Sequence, residues 1–159
     1  AGLLLSTYGA YMQRRDSLAE IDRQLREFLG EARATEFFRA RHPDFQLLNR
    51  LAEQSNLPAE AAIKAFDLRS AAGRESTRIM DEPALSNDQK RAALRVLAQN
   101  TSDQLIATLG PTAGPAYVSS AAWLPVIANG GSVIFPPDSR GFGYRRVPPG
   151  STPTRRGGP

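Results

Sequence analysis

Leu18, Ile21, Leu25 and Phe28/Leu29 stand three and four residues apart, the spacing that lines up one face of an α-helix. This period governs most of the first 130 residues. It predicts a chain that folds as helices packed through apolar stripes. Tyr8, Tyr11 and Met12 extend the first stripe backwards. Gly30 is the expected stop, because glycine takes the left-handed cap conformation at little cost.

A short helix is expected over 31–41, carrying Phe37 and Phe38. His42-Pro43-Asp44 then resets the chain. Proline suits the first turn of a new helix, and an early acid suits its dipole. Phe45, Leu47, Leu48 and Leu51 give that helix a buried side, and Ser55-Asn56-Leu57-Pro58 is the next break. From Pro58 to Met80 the pattern is helical again, with Ile63 and Phe66 facing a core. Its alanine-rich middle contains Gly73, which leaves room for another helix to approach closely. Ser86, three residues before Gln89, reads as a capping box. That helix is expected to run through Leu94, Leu97, Thr101 and Leu105 to Leu109, with Gly110-Pro111 ending it. A further short helix, interrupted by Pro115, is expected over 112–122, with Trp123-Leu124 docking back on the core.

Past Asn129-Gly130-Gly131 the composition changes: 12 of the last 29 residues are Gly or Pro. Such density does not support a helix and leaves little apolar surface for a core. Ser132-Val133-Ile134-Phe135 suits one short strand against a neighbour. The fold expected is therefore all-α, a bundle of about five helices. It comprises a helical domain over 1–130, with a long first helix over 1–29, and an extended Pro/Gly/Arg-rich tail over 131–159.

Charge separates the same two regions. Lys+Arg and Asp+Glu balance through residue 130. The tail holds Arg140, Arg145, Arg146, Arg155 and Arg156 against Asp138 alone, so it carries the whole net charge of +4. A neutral body and five arginines argue against nucleic acid as the partner. The tail alternates rings and guanidinium groups at Phe142, Tyr144, Arg145 and Arg146, preceded by Phe135. These five residues are the candidate partner-binding set. Phe135-Pro136-Pro137 and Val147-Pro148-Pro149 favour extended conformations that lose little entropy on docking.

Sites for chemistry are hard to find. With no cysteine, there is no disulfide framework, thiolate metal site or cysteine nucleophile. His42 is the single histidine, and its neighbour Pro43 suits a helix start better than catalysis. Asp81-Glu82 flanks a proline at a helix end, where acids are normally solvated. Gly141-Phe142-Gly143 is followed by no helix to point its amides at a phosphate. No catalytic residue, cofactor, metal or small-molecule substrate is expected. Nor is there a run of about 18 apolar residues to span a bilayer. Ala1-Gly2-Leu3-Leu4-Leu5 reads as a mature or trimmed end, either the remnant of a signal or membrane anchor or an arbitrary cut. Any membrane association is expected through this end.

An internal echo is also present. Gln24-Leu25-x-x-x-Leu29-Gly30 precedes Phe37, and Gln104-Leu105-x-x-x-Leu109-Gly110 precedes Tyr117 at the same offset. Two readings stay open: a duplicated helix-end motif, or two ordinary helix ends with an aromatic packed behind each.

Several spaced blocks carry a family resemblance: Phe28-Leu29-Gly30, Pro43-Asp44-Phe45, Leu57-Pro58-Ala59-Glu60, Phe66-Asp67-Leu68-Arg69, and Pro83-Ala84-Leu85-Ser86-x-x-Gln89 with Leu109-Gly110. From Leu25 to Trp123 the chain resembles a class of uncharacterised, predicted exported bacterial helical proteins. The resemblance implies only an extracytoplasmic location, periplasmic or membrane-associated. Leu85-Ser86-x-x-Gln89 is also similar to the repeat of small periplasmic helical proteins of the Spy/CpxP type, although the strongly charged surface such chaperones need is missing. Neither resemblance reaches the tail. The function expected is a non-catalytic accessory or structural subunit that binds a larger protein assembly, with the tail as a docking arm. The alternative is a periplasmic chaperone-like or stress-regulatory helical protein.

Overall fold

The computed structural model describes residues 2–136 and 141–148; for residues 2–11 and for Arg15 it describes the helical backbone alone. The side chains of Tyr8 and Tyr11, and Asp138, Arg140, Arg155 and Arg156, for which the sequence raises expectations, lie outside the described residues. The described chain is mainly helical, with six helices and one two-stranded sheet. It divides into two compact units, Ala1–His42 and Pro43–Pro159.

The first unit is a pair of helices, α1 (Gly2–Leu29) and α2 (Glu31–Arg41). Gly30 separates them at φ 77°, in the left-handed region that the sequence reserves for glycine. Its neighbours tie the corner: Arg26 pairs with Glu31 at 2.6 Å, and its guanidinium lies over the Phe38 ring at 5.0 Å. The helical period is there, but its apolar stripe is not covered. Leu18 and Ile21 are exposed and Phe28 is 86% exposed, while Leu25 and Leu29 are half-buried.

The second unit holds α3 (Pro43–Gln54), α4 (Ala59–Asp81), α5 (Asn87–Ser120) and α6 (Trp123–Ala128), then β1 (Gly131–Ile134) and β2 (Gly143–Arg146). Pro43 opens α3 with Asp44 in its first turn, as the sequence predicts. Ser86 caps α5: its hydroxyl accepts from Gln89 N–H, and the Gln89 side chain accepts from Ser86 N–H. α5 bends sharply at Gly110 (φ 78°) and continues. Pro111 takes the first position beyond the bend, where no N–H is needed, and Pro115 does not interrupt the helix as expected. The two glycines of the internal echo thus share one conformation. The aromatics behind them do not: Tyr117 is buried, whereas Phe37 remains exposed.

Phe45, Leu48, Leu94, Leu105, Leu109, Trp123, Leu124 and Ile127 fill the core of this unit. Val133 and Val147 join them, which corrects the expected domain boundary at residue 130. β1 pairs antiparallel with β2, from Gly131↔Arg146 to Ile134↔Gly143. Residues 131–136 and 141–148 are therefore not an unstructured arm. They form a hairpin whose inner strand is built into the helical unit. The correction has a physical cause in α4. Its small-residue middle receives the hairpin: a Cβ on Gly73 would stand 2.8 Å from the Phe135 ring.

Candidate functional site

Side chains of α4, α5 and α6 hold the hairpin on the helices. The apolar stripe of α4 runs through Ala62, Ala65, Ala72 and Ile79, and Arg69 and Ser76 sit on it. A charged residue on such a stripe must be paired. Arg69, with 4% of its side chain exposed, meets the Asp44 carboxylate at 2.6 Å, Nε to Oδ2. Its guanidinium carbon lies 3.6 Å from the centre of the Phe135 ring. Burial pulls the guanidinium below its ordinary pKa, and the Asp44 carboxylate pulls the other way. Arginine keeps its charge in such a setting.

Aromatic rings extend this stack. Phe135 meets Trp123 edge-on at 5.6 Å and Phe142 at 6.3 Å. Such edge-to-face pairs add to the area they bury. Behind them, the Tyr117 hydroxyl and the Trp123 indole N–H are both buried, and the indole N–H interacts with the hydroxyl closely enough to favour its ionised form. Burial pushes the Tyr117 hydroxyl up to about 12, with the nearby Asp44 carboxylate adding to the shift.

At the strand itself, Ser76 Oγ accepts from Val133 N–H at 3.0 Å and lies 3.5 Å from Val133 O, while donating to Gly73 O at 2.8 Å. Beyond the far end of β2, the Pro148 carbonyl accepts from Asn87 and Arg91. On the outer strand, Arg145 pairs with Asp81 at 2.9 Å.

The ladder's phase follows from one bond. Val147 N–H donates to Gly130 O at 3.0 Å, and antiparallel pairs alternate between hydrogen-bonded and non-hydrogen-bonded. Ser132–Arg145 and Ile134–Gly143 are therefore bonded pairs, whereas Val133–Tyr144 and Gly131–Arg146 turn their backbone groups outward. On β1, Ser76 Oγ accepts from the outward N–H of Val133. On β2, the outward N–H and C=O of Tyr144 and Arg146 meet no described residue.

The five candidate partner-binding residues are thereby divided. Phe135 and Phe142 belong to the unit's own aromatic stack. Tyr144, Arg145 and Arg146 lie on the exposed strand, with Tyr144 57% exposed and Arg146 over its ring at 5.7 Å. Arg69, Asp44, Tyr117, Trp123 and Ser76 were not singled out as a site from sequence. The signal for Arg69 was its place on the stripe of small and apolar residues in α4.

Two open grooves flank this arrangement. One, of about 440 Å³, lies between α4 and β1, beside Gly73, Thr77, Ile134 and Phe135. The other, of about 660 Å³, lies between α5 and α6 and is lined by Val96, Val118, Leu124 and Ala128 with Arg95. Neither brings carboxylates together. Among the described residues, no group of three His, Cys, Asp or Glu side chains is placed to hold a metal ion, and no helix is long and apolar enough to cross a membrane. In comparison with known proteins, the chain matches no family model, no curated protein and no solved structure.

Proposed function

We propose that this protein is a non-catalytic accessory or structural subunit that binds a larger protein assembly, with the C-terminal hairpin as its docking element. One observation carries the reading. The outer strand Gly143–Arg146 is exposed at every position, yet it is mounted on a strand locked into the core by Ser76 and Arg69. A surface held in this way loses little conformational entropy on binding. The ionisable groups Arg69, Asp44 and Tyr117 support the same reading, since the two buried ones and the half-buried Asp44 engage one another and the hairpin's Phe135 rather than an open cleft. The extracytoplasmic location implied by the sequence resemblance belongs to this proposal.

The test is a photo-crosslinking amino acid placed at Tyr144 in the full chain, in its own cells, with exposed Glu60 as the control position. A discrete protein adduct from position 144 and none from position 60 is expected. No adduct from 144, or the same adducts from both positions, would contradict the docking role.

A further inference from the structure

An edge strand presents unpaired N–H and C=O groups, and folded proteins normally cover or blunt such edges. Here β1 is covered by α4 through Ser76, and β2 is left open at Tyr144 and Arg146. We infer that this edge takes an additional strand, an extended acidic segment of a protein partner. The inference rests on the docking role proposed above and names what docks.

The backbone supplies the first argument. Strand addition satisfies outward N–H and C=O groups in pairs and takes its affinity from main-chain hydrogen bonds. Tyr144 and Arg146 offer two such residues in phase. Pro148 ends the series, because it has no N–H and its carbonyl is held by Asn87 and Arg91. The site is therefore short, suited to a segment of about three or four residues at a strand rise of ~3.3 Å each.

Charge supplies the second. Side chains directly across a strand pair lie about 4.5–5.5 Å apart, and opposite charges there are favourable. An added strand places its own side chains beside the exposed Arg146 and Tyr144. A carboxylate there meets the Arg146 guanidinium, which has no acidic partner of its own among the described residues. Arg145, held at Asp81 but still half exposed, adds to the positive field. A second copy of this chain fits poorly, because the antiparallel register that pairs Tyr144 with Arg146 sets Arg145 directly against Arg145 and supplies no carboxylate to either Arg146. An anionic membrane or a nucleic acid would engage the guanidinium groups, but not the backbone in this alternating pattern.

The test uses the full chain and a labelled peptide alternating Val or Thr with Glu, followed by anisotropy and by amide hydrogen exchange. Binding at about 1 mM or tighter is expected. The amides of Tyr144 and Arg146 should slow by about tenfold or more, while those of Gly143 and Arg145, already in the ladder, should not change. Arg146→Glu should weaken binding about tenfold. A backbone N-methylated peptide should not bind. No binding, equal binding of the N-methylated peptide or of a Lys-for-Glu peptide, or binding without slowing at Tyr144 and Arg146 would each overturn the inference. A crosslink at Tyr144 combined with any of these results would remove the added strand and leave the docking role standing. Loss of both would remove both.

Discussion

Val133 and Tyr144 face each other across the β1–β2 ladder, but their outward backbone groups are treated differently. The Val133 N–H donates to the Ser76 hydroxyl of α4, which stands where a neighbouring strand's carbonyl would be. The outward groups of Tyr144 meet nothing described. The inner strand's outward edge is closed by a helix, whereas the outer strand is tied to the helices only through the Arg145 side chain and, beyond its end, the Pro148 carbonyl. The same two-residue alternation therefore yields a structural edge and an available one. What distinguishes them is the neighbouring helix, not the strand sequence.

The largest effect should come from removing the clamp under the inner strand. Arg69→Ala strips the guanidinium from the Phe135 ring and leaves the Asp44 carboxylate, still about one-third exposed, without its arginine. Denaturant unfolding should show a loss of about 3 kcal/mol, near the low end for breaking a buried pair. Arg69→Lys should not restore it, because an ammonium cannot stack on the ring and reach Asp44 in the same geometry. An unchanged midpoint would mean that the hairpin is held by other contacts.

Next comes the edge itself. Ser76→Ala leaves the buried Val133 N–H unpaired, which costs about 1–2 kcal/mol. Faster exchange of the Val133 amide should accompany it. If stability falls but that amide stays protected, Ser76 acts through packing in α4 instead.

A smaller effect belongs to Tyr117, whose buried hydroxyl faces the Trp123 indole N–H. Its folded pKa is raised to about 12 from an ordinary 10.0, so the unfolded chain gives up this proton first. The stability it carries is fully present below pH 10 and is lost as pH rises towards 12. Tyr117→Phe should flatten that alkaline loss and change stability by no more than about 1 kcal/mol near neutral pH, the net worth of one neutral hydrogen bond. A pH profile identical to the parent's between 10 and 12 would show that this hydroxyl is not kept protonated by the fold.

The smallest effect should come from the outer edge. Tyr144→Pro removes an outward N–H and no ladder bond, a position where edge strands accept proline. A change within about 0.5 kcal/mol is expected, as for other surface sites. A larger loss would mean that the ladder has the opposite phase, with Val133–Tyr144 as a bonded pair.

The helical part of this architecture was legible in the sequence because it is local. Three- and four-residue spacing, Gly30, Pro43 and the Ser86–Gln89 capping box each act within one or two turns. The hairpin was not legible. Its strands are four residues each, too short for alternation to outweigh the surrounding glycine and proline. Its place in the core depends on Gly73 and Ser76, about 60 residues earlier in the chain. Composition suggested a loose arm because it counts residues without the helix they pack on. The candidate site was half legible for the same reason. Tyr144, Arg145 and Arg146 are exposed where an arm would expose them. Phe135 and Phe142, read as docking aromatics, are drawn into the stack by Arg69 and Trp123, whose meeting no local pattern announces.

Amide hydrogen exchange on the free protein tests the two-edge account most directly. The amides of Val133, Arg145 and Val147 should be protected well beyond the unfolded-chain rate, with those of Tyr144 and Arg146 exchanging close to it. Five equally fast amides would return residues 131–148 to a loose arm, and five equally slow ones would mean that the outer edge is already covered.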